Sequence, residues 1–332
     1  MHVIKASNVR DALIQAVQYL TTHGLIEETR AGEALVAQEP VCIHYENPKQ
    51  HVLLNPVRDA NPFFHLMESM WMLAGRDDAA FLEYYIKDFS KMFGKDGIIM
   101  DAYGHRWRYG YRYDQLDEIV NQLRKDPYTR QAVLQMWGAG RDDLRAYSSK
   151  PCNLTAVFRI QNQFLNMTVY NRSNDLIWGC CGANAVHFSI LQEYLAGRIG
   201  LPMGQYWQVT NNLHMYTDMY DKMSKRDPNN LIEESLPEPY QATMPLMKYS
   251  NQFDDELAKL MKFIDEMHEG NYRDFKGTFH NPFLGQVVMR MALSHCLYKN
   301  SMMDDALEII DTVAADDWKQ AGKEWLERRN GR

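Results

Sequence analysis

The sequence predicts an α/β body followed by a helical tail, and three observations carry that reading. Helix-spaced and strand-like runs are interleaved as far as about residue 225. Two β-rich runs, 154–161 and 164–170, meet across the short polar link Asn162-Gln163, which predicts a hairpin. From Asp254 onward the pattern is almost all helical, over 254–268, 284–299 and 303–328. The loose stretch 225–252, with Pro237-Glu238-Pro239, supplies the boundary. Residues 1–225 are read as one body and 226–332 as a mainly helical extension.

The elements follow in order. Residues 8–22 put Val9, Leu13, Val17 and Leu20 at helical spacing. Residues 28–33 are a polar turn, and 41–45 read as a strand stopped at Pro48. Asn61-Pro62 opens a helix that runs through Leu73 and stops at Gly75. Pro62 is tolerated there because an N–H in the first turn has no helical partner to lose. A further helix covers 77–88, and another runs over 114–125 to Asp126-Pro127. The period then shortens: 132–137 is strand-like. Residues 185–199 form a long helix with Phe188, Leu191 and Leu195 on one face, and 206–209 are a late strand.

Composition bounds the function. The 332 residues are 45% apolar and 24% charged, and 19 Tyr, 13 Phe, 7 Trp and 20 Met are too many large side chains to leave in water. Disorder is excluded as the main state. With 36 Lys+Arg against 43 Asp+Glu, the net charge of −7 weighs against a nucleic-acid partner, which needs a basic surface. A small anion held by a few arginines remains compatible. No apolar run reaches the roughly 18–20 residues of a membrane helix, and residues 1–8 lack the pattern of a signal peptide. The cysteines are Cys42, Cys152, Cys180, Cys181 and Cys296, an odd set with two adjacent members. That suits a reducing cytoplasm, which is the expected location. No CxxC pair or HExxH occurs, so no metal is expected.

A few residues stand out for chemistry. Cys152 follows Pro151 at the mouth of a strand, a place for a nucleophile; taken alone, a buried structural thiol is the commoner fate. Arg172-Ser173 at a strand end offers a guanidinium fork and a hydroxyl to a phosphate, or Arg172 pairs with Asp175. Arg30 and Arg130 sit in polar turns, where a lone arginine is usually a solvated charge. Glu68 interrupts an apolar helix between Met67 and Met70, and a carboxylate there is costly to bury without a task or partner. Asn184 opens a helix and reads equally as its N-cap. His214-Met215-Tyr216 brings two polar rings to one face of a strand end.

Taken together, these segments resemble the thymidylate synthase family, including its pyrimidine-nucleotide hydroxymethylase branch. The resemblance runs from Arg30-Ala31-Gly32, through the helix segment His65 to Trp71 and the YGxxWR-like Tyr103-Gly104-His105-Arg106-Trp107-Arg108. It continues with Asn121 to Arg130, Pro151-Cys152, Arg172-Ser173-Asn174-Asp175 and His214-Met215-Tyr216, in the family's order. The resemblance implies a three-layer fold with a mixed, kinked β-sheet, two subunits packed sheet to sheet, and 5,10-methylenetetrahydrofolate as co-substrate. It implies that Cys152 adds to C6 of a pyrimidine nucleoside monophosphate, with Glu68 and Tyr103 assisting proton movements. It assigns Arg30, Arg172 and Ser173 to the 5′-phosphate, with Arg130 reaching across from the other subunit of a homodimer. Asn184 then faces the base, His214 and Tyr216 hold the sugar 3′-hydroxyl, Asp175 contacts the pterin, and Phe89 lies near the folate.

Four departures from the family stand out, and the fourth bears on the product. Gln131 replaces a second arginine, with Arg141 or Arg145 to compensate. Asn153 follows the nucleophile where many synthases have histidine. The stretch 178–184 is one residue longer than usual, so either Asn184 or Ala183 falls at the base. The end of the chain, Glu327 to Arg332, does not resemble the short apolar terminus that closes a synthase. Tryptophans near the folate are also missing around Phe89. A site that admits water adds hydroxyl rather than hydride to the carbon on C5, so hydroxymethylation of dUMP is the expected reaction. The alternatives are dTMP synthesis, hydroxymethylation of dCMP or CMP, and a nucleotide-binding protein without turnover.

Overall fold

The computed structural model describes residues 1–142, 144, 149–226, 240, 252–271 and 278–330. Arg145 and the Pro237-Glu238-Pro239 segment lie outside the described residues. The chain forms two compact units, Met1–Ala60 with Tyr113–Glu238, and Asn61–Arg112 with Pro239–Arg332. These units differ from the single boundary expected near 225. The cause is the helix Pro62–Leu73, which is buried on nearly every face and packs with the C-terminal helices.

In chain order the elements are β1 (His2–Ala6), α1 (Val9–His23), β2 (Leu25–Thr29), β3 (Gly32–Val36) and β4 (Val41–Tyr45). Next come α2 (Pro62–Leu73), α3 (Ala79–Glu83), α4 (Phe89–Phe93), α5 (Tyr103–Arg108) and α6 (Gln115–Lys125). Strands β5 (Val133–Gln135), β6 (Asn153–Gln161), β7 (Phe164–Asn171) and β8 (Asn174–Asp175) follow. A π-helical segment, Leu176–Ala183, leads into α7 (Asn184–Ile199). Then come β9 (Met203–Thr210), β10 (Leu213–Tyr216) and α8 (Thr217–Arg226). The tail holds α9 (Phe253–His268), a π-turn at Leu284–Val288 running into α10 (Met289–Lys299), α11 (Met303–Asp311) and α12 (Asp316–Glu327).

The first unit is built on a mixed six-stranded sheet in the order β1-β4-β9-β7-β6-β5. β1/β4 and β7/β9 are parallel pairs, and the others are antiparallel. Strand alternation puts Ile43, Ala156, Phe158, Val169 and Tyr206 on a buried face, with α1 and α7 packed against its strands. Burying a ring such as Phe158 stabilises by about 2–3 kcal/mol. The turn of the β6–β7 hairpin falls on Asn162 and Gln163, both at positive φ (51° and 64°) as a tight hairpin requires. The register slips between Asn153 and Thr155, a bulge that turns the strand at its entry. A second sheet, β2-β3-β10-β8, is also mixed.

The second unit is helical. Trp71, Trp107, Phe63, Phe81, Phe253, Leu260, Met291 and Trp325 are its buried interior. Gly104 sits so close to α2 that a Cβ would come within 2.0 Å of the Met72 carbonyl oxygen, which lets the first turn of α5 lie against the end of α2. Arg108 donates to the Leu73 carbonyl (2.7 Å) and pairs with Asp254 of α9 (3.0 Å).

Two helical expectations are corrected. The run 77–88 holds only the short helix α3, which ends at Glu83; Asp88 turns left-handed at φ 62°, and α4 begins after it at Phe89. The run 303–328 breaks at 312–315, where the Ala314 N–H donates to the Gln286 carbonyl instead of within a helix.

Candidate active site

The end of the β6–β7 hairpin brings Cys152 and Arg172 together. The Arg172 backbone N–H donates to the Cys152 carbonyl at 2.9 Å. The guanidinium turns back to donate from Nε to the Pro151 carbonyl (2.9 Å) and from Nη2 to the Lys150 carbonyl (2.8 Å). Two of its five N–H groups thus hold the segment in front of the thiol, while the side chain remains exposed. The sequence offers Arg172 a phosphate or an ion pair with Asp175; the bonds described for its guanidinium are instead to these two backbone carbonyls. Cys152 is half-buried.

The second sheet gathers the rest of this end. His214 lies opposite Asp175 in the β10/β8 pairing and opposite Val36 of β3, and Tyr216 lies opposite Ala34. Arg30 occupies the exposed tip of the β2–β3 hairpin in the same sheet. The His214 ring is held by the Asn212 side chain (Nδ1 to Oδ1, 2.9 Å) and meets Tyr216 edge-on at 5.3 Å. Ser173 bonds the same Asn212 oxygen at 3.5 Å. Asp175 accepts from the Trp178 N–H through one oxygen, while its other oxygen is buried and has no partner among the described residues. Burial pushes the Asp175 carboxyl up, against the Trp178 N–H, His214 and Arg58, which pull it down.

The stretch before Asn184 is the π-helical segment Leu176–Ala183. The chain kinks at Cys181 and Gly182. Asn184 is the first residue of α7 and does not cap it. Its Nδ2 donates to Asn174 Oδ1 (3.0 Å), and its Oδ1 accepts from Asn153 Nδ2 (3.3 Å). Ala183 offers only a methyl group. The amides continue inward: Asn174 Nδ2 donates to Gln208 Oε1 (3.0 Å), and Gln208 Nε2 donates to Tyr206 Oη (2.7 Å). The Cys180 thiol also reaches Gln208 Oε1 at 2.7 Å. Only glycine fits at 179, where a Cβ would come within 2.4 Å of Asn174 Oδ1 and 3.2 Å of Asn184 Nδ2.

Glu68, Tyr103 and Phe89 belong to the second unit. Glu68 is half-buried on α2, the one residue of that helix not fully buried. Tyr103, also half-buried, begins α5. Phe89 is buried against Phe64 (5.8 Å) and Phe93 (4.9 Å). Arg130 stands apart from the Cys152 cluster in the chain, on the exposed loop between α6 and the edge strand β5. Gln131 and Arg141 are exposed as well.

Sequence reasoning missed Trp178, Arg58, Asn174 and Gln208. Trp178 is 50% exposed three residues beyond Asp175, with the buried Arg58 guanidinium 4.4 Å from its ring centroid. An exposed tryptophan so held is a stacking platform. The only signal in the sequence was that Trp178 adjoins a motif. Among the described residues no group of three or more His, Cys, Asp or Glu side chains is placed to hold a metal. No described helix is long and apolar enough to cross a membrane.

The family model described as thymidylate synthase matches residues 12–266. A deoxyuridylate hydroxymethyltransferase of Pseudomonas phage M6 is 41% identical, over 99% of this chain and 95% of that protein. The chain belongs to the thymidylate synthase family. A deoxyuridylate hydroxymethyltransferase of Bacillus phage SP01 is 35% identical over 78% of the chain and 72% of that protein. A thymidylate synthase of Symbiobacterium thermophilum is 28% identical over 59% of the chain and 72% of that protein. Membership makes the chain a one-carbon transferase, in a family that generally uses methylenetetrahydrofolate. The family match ends inside α9.

Proposed function

We propose that this enzyme transfers the one-carbon unit of 5,10-methylenetetrahydrofolate to C5 of dUMP as a hydroxymethyl group. The observation that carries the reading is the Cys152 thiol at the open hairpin end, with Arg172 clamped to the carbonyls just before it. The near full-length similarity to a phage deoxyuridylate hydroxymethyltransferase supports the choice of base and product.

In this reading the Cys152 thiolate adds to C6 of uracil, and the electron pair displaced from the C5–C6 double bond makes C5 a nucleophile. C5 takes the methylene carbon. Loss of the C5 proton, assisted by Tyr103 and by water held at Glu68, expels tetrahydrofolate. Water then adds to the methylene left on C5, and departure of the Cys152 sulfur restores the ring. Arg30, Arg172 and Ser173 bind the phosphate, a task suited to a guanidinium fork and a hydroxyl. His214 and Tyr216 take the 3′-hydroxyl. Asn184 reads the base.

The unpartnered Asp175 oxygen suits a buried N–H donor such as that of a pterin, and Trp178 beside it suits the flat ring system. We add Trp178 to the folate contacts, alongside Phe89, which the family resemblance assigns there. The outer face of the six-stranded sheet carries the half-exposed or exposed Val133, Thr155, Val157, Thr168, Tyr170 and Trp207. That apolar and polar mixture fits a homodimer packed through this face, with Arg130 reaching the other subunit's phosphate site. Five free cysteines fit work in a reducing cytoplasm.

Covalent capture tests the reading. With 5-fluoro-dUMP and methylenetetrahydrofolate, the fluorine blocks loss from C5 and should leave a ternary adduct on the peptide containing Cys152. Mass spectrometry that finds no adduct, or finds it on another cysteine, overturns the assignment.

A further inference from the structure

Buried amides are expensive. An amide removed from water without partners costs on the order of 1–3 kcal/mol in proteins, and apolar residues of similar size carry no such penalty. Yet the first unit places Asn174 (3% exposed) and Gln208 (0%) in its interior, on neighbouring elements, and joins them in one line to the half-buried Asn184. The line has a direction. Each amide nitrogen donates inward, from Asn184 to Asn174, from Asn174 to Gln208, and from Gln208 to the Tyr206 hydroxyl. The Cys180 thiol, also fully buried, donates to the same Gln208 oxygen. Tyr45 supports the turn from below by donating to the Cys180 carbonyl at 3.1 Å.

The direction matters because an amide is asymmetric. Asn184 Oδ1 faces the Asn153 Nδ2 donor, and its Nδ2 faces the Asn174 Oδ1 acceptor. Turning the Asn184 amide over would set oxygen against oxygen and nitrogen against nitrogen, unless the inner amides turned too. Uracil offers a donor at N3 and an acceptor at O4. Cytosine offers an acceptor at N3 and a donor at its amino group. An amide fixed one way round serves one of these edges and opposes the other.

We infer that Asn174 and Gln208 are positioning residues for base selection: through the directed amide line they lock Asn184 in the orientation that accepts uracil and rejects cytosine. The inference rests on Asn184 as the base contact proposed above. Gly179 belongs to the device, since any side chain there would push Asn174 and Asn184 apart. A buried, uncharged line of this kind fixes orientation at every pH of physiological interest, because amides do not titrate.

The test is the ratio of kcat/KM for dUMP to that for dCMP, read as tritium release from C5-labelled nucleotides. Gln208→Met removes the acceptor beneath Asn174 and should lower the ratio about tenfold, the equivalent of one lost hydrogen bond. Gln208→Glu keeps that acceptor, with the Tyr206 hydroxyl now donating, and should hold the ratio within about twofold. Gly179→Ala disturbs the line without removing any buried amide, and should lower the ratio even if Gln208→Met fails to fold. A merely structural role would depress both substrates together and leave the ratio unchanged. Asn184→Ala separates the two layers of the claim. A ratio that collapses in Asn184→Ala but is unchanged in Gln208→Met and Gly179→Ala overturns the amide line alone. A ratio unchanged in Asn184→Ala overturns the base contact and the line with it.

Discussion

The two units bury different polar groups. In the first, the buried polar side chains include the amides of Asn153, Asn166, Asn171, Asn174, Gln192 and Gln208. In the second, imidazoles lie among rings: His268 stacks on Tyr84 at 3.7 Å and bonds Tyr85 Oη at 3.0 Å, and His295 packs near Phe63, Tyr85 and Trp325. The division is one of emphasis: the first unit also buries His51, whose ring bonds the Pro48 carbonyl, and His187, and the second also buries the amide of Asn281. Amides keep their character at any pH, and Asn153, Asn171 and Asn174 lie at the hairpin end that carries Cys152 and Arg172. Imidazoles change charge, and burial makes that change costly.

Loss of the thiol should give the largest difference between the units. Cys152→Ala is expected to reduce turnover by at least on the order of a thousandfold, as removal of a covalent nucleophile does, with dUMP still bound in equilibrium dialysis. Normal turnover would place the chemistry elsewhere. Next in size is Arg172→Ala, which removes both the proposed phosphate fork and the clamp on the Lys150 and Pro151 carbonyls. KM for dUMP should rise by roughly ten- to a hundredfold, in line with charge-assisted bonds, and kcat should fall as well. A change in neither constant would detach Arg172 from the site.

The second unit should respond to acid. Burial, then the nearby Lys299, lowers His295 to about 3, and burial with Arg76 lowers His268 to about 3. Both folded values lie below the unfolded value near 6.5, so the unfolded chain binds more protons between the two. Their contribution is full above about pH 6.5 and is lost as pH falls toward 3. His295→Phe keeps a ring in the cluster and removes one titration. Urea unfolding at pH 7 and pH 4.5 should show the variant losing roughly 2–3 kcal/mol less than wild type on acidification. Equal losses would mean that His295 is not buried neutral. The smallest expected effect is at Trp178→Ala, where loss of one stacking face should raise KM for the folate severalfold and leave KM for dUMP unchanged.

How much was legible depended on where the partners sit in sequence. The β6–β7 hairpin was readable because Asn162 and Gln163 carry its turn locally. β2 was not, since all five of its residues are exposed and no alternation marks it. The break after α11 is set by a carbonyl on Gln286, far back in the chain. The site divides in the same way. Cys152, Arg172, Ser173 and Asp175 lie in short contiguous motifs and were singled out from the sequence. Gln208 supports Asn174 from 34 residues away, on a strand whose pattern is ordinary, and nothing local announces it. Arg58 reaches Ile177 and Trp178 across a still longer interval.

The most direct test of the central claim is the identity of the product made from dUMP and methylenetetrahydrofolate, read by mass spectrometry of both the nucleotide and the folate. Hydroxymethyl-dUMP together with tetrahydrofolate is the predicted pair. Formation of dTMP together with dihydrofolate would contradict the account, because hydride rather than water would then have completed the transfer.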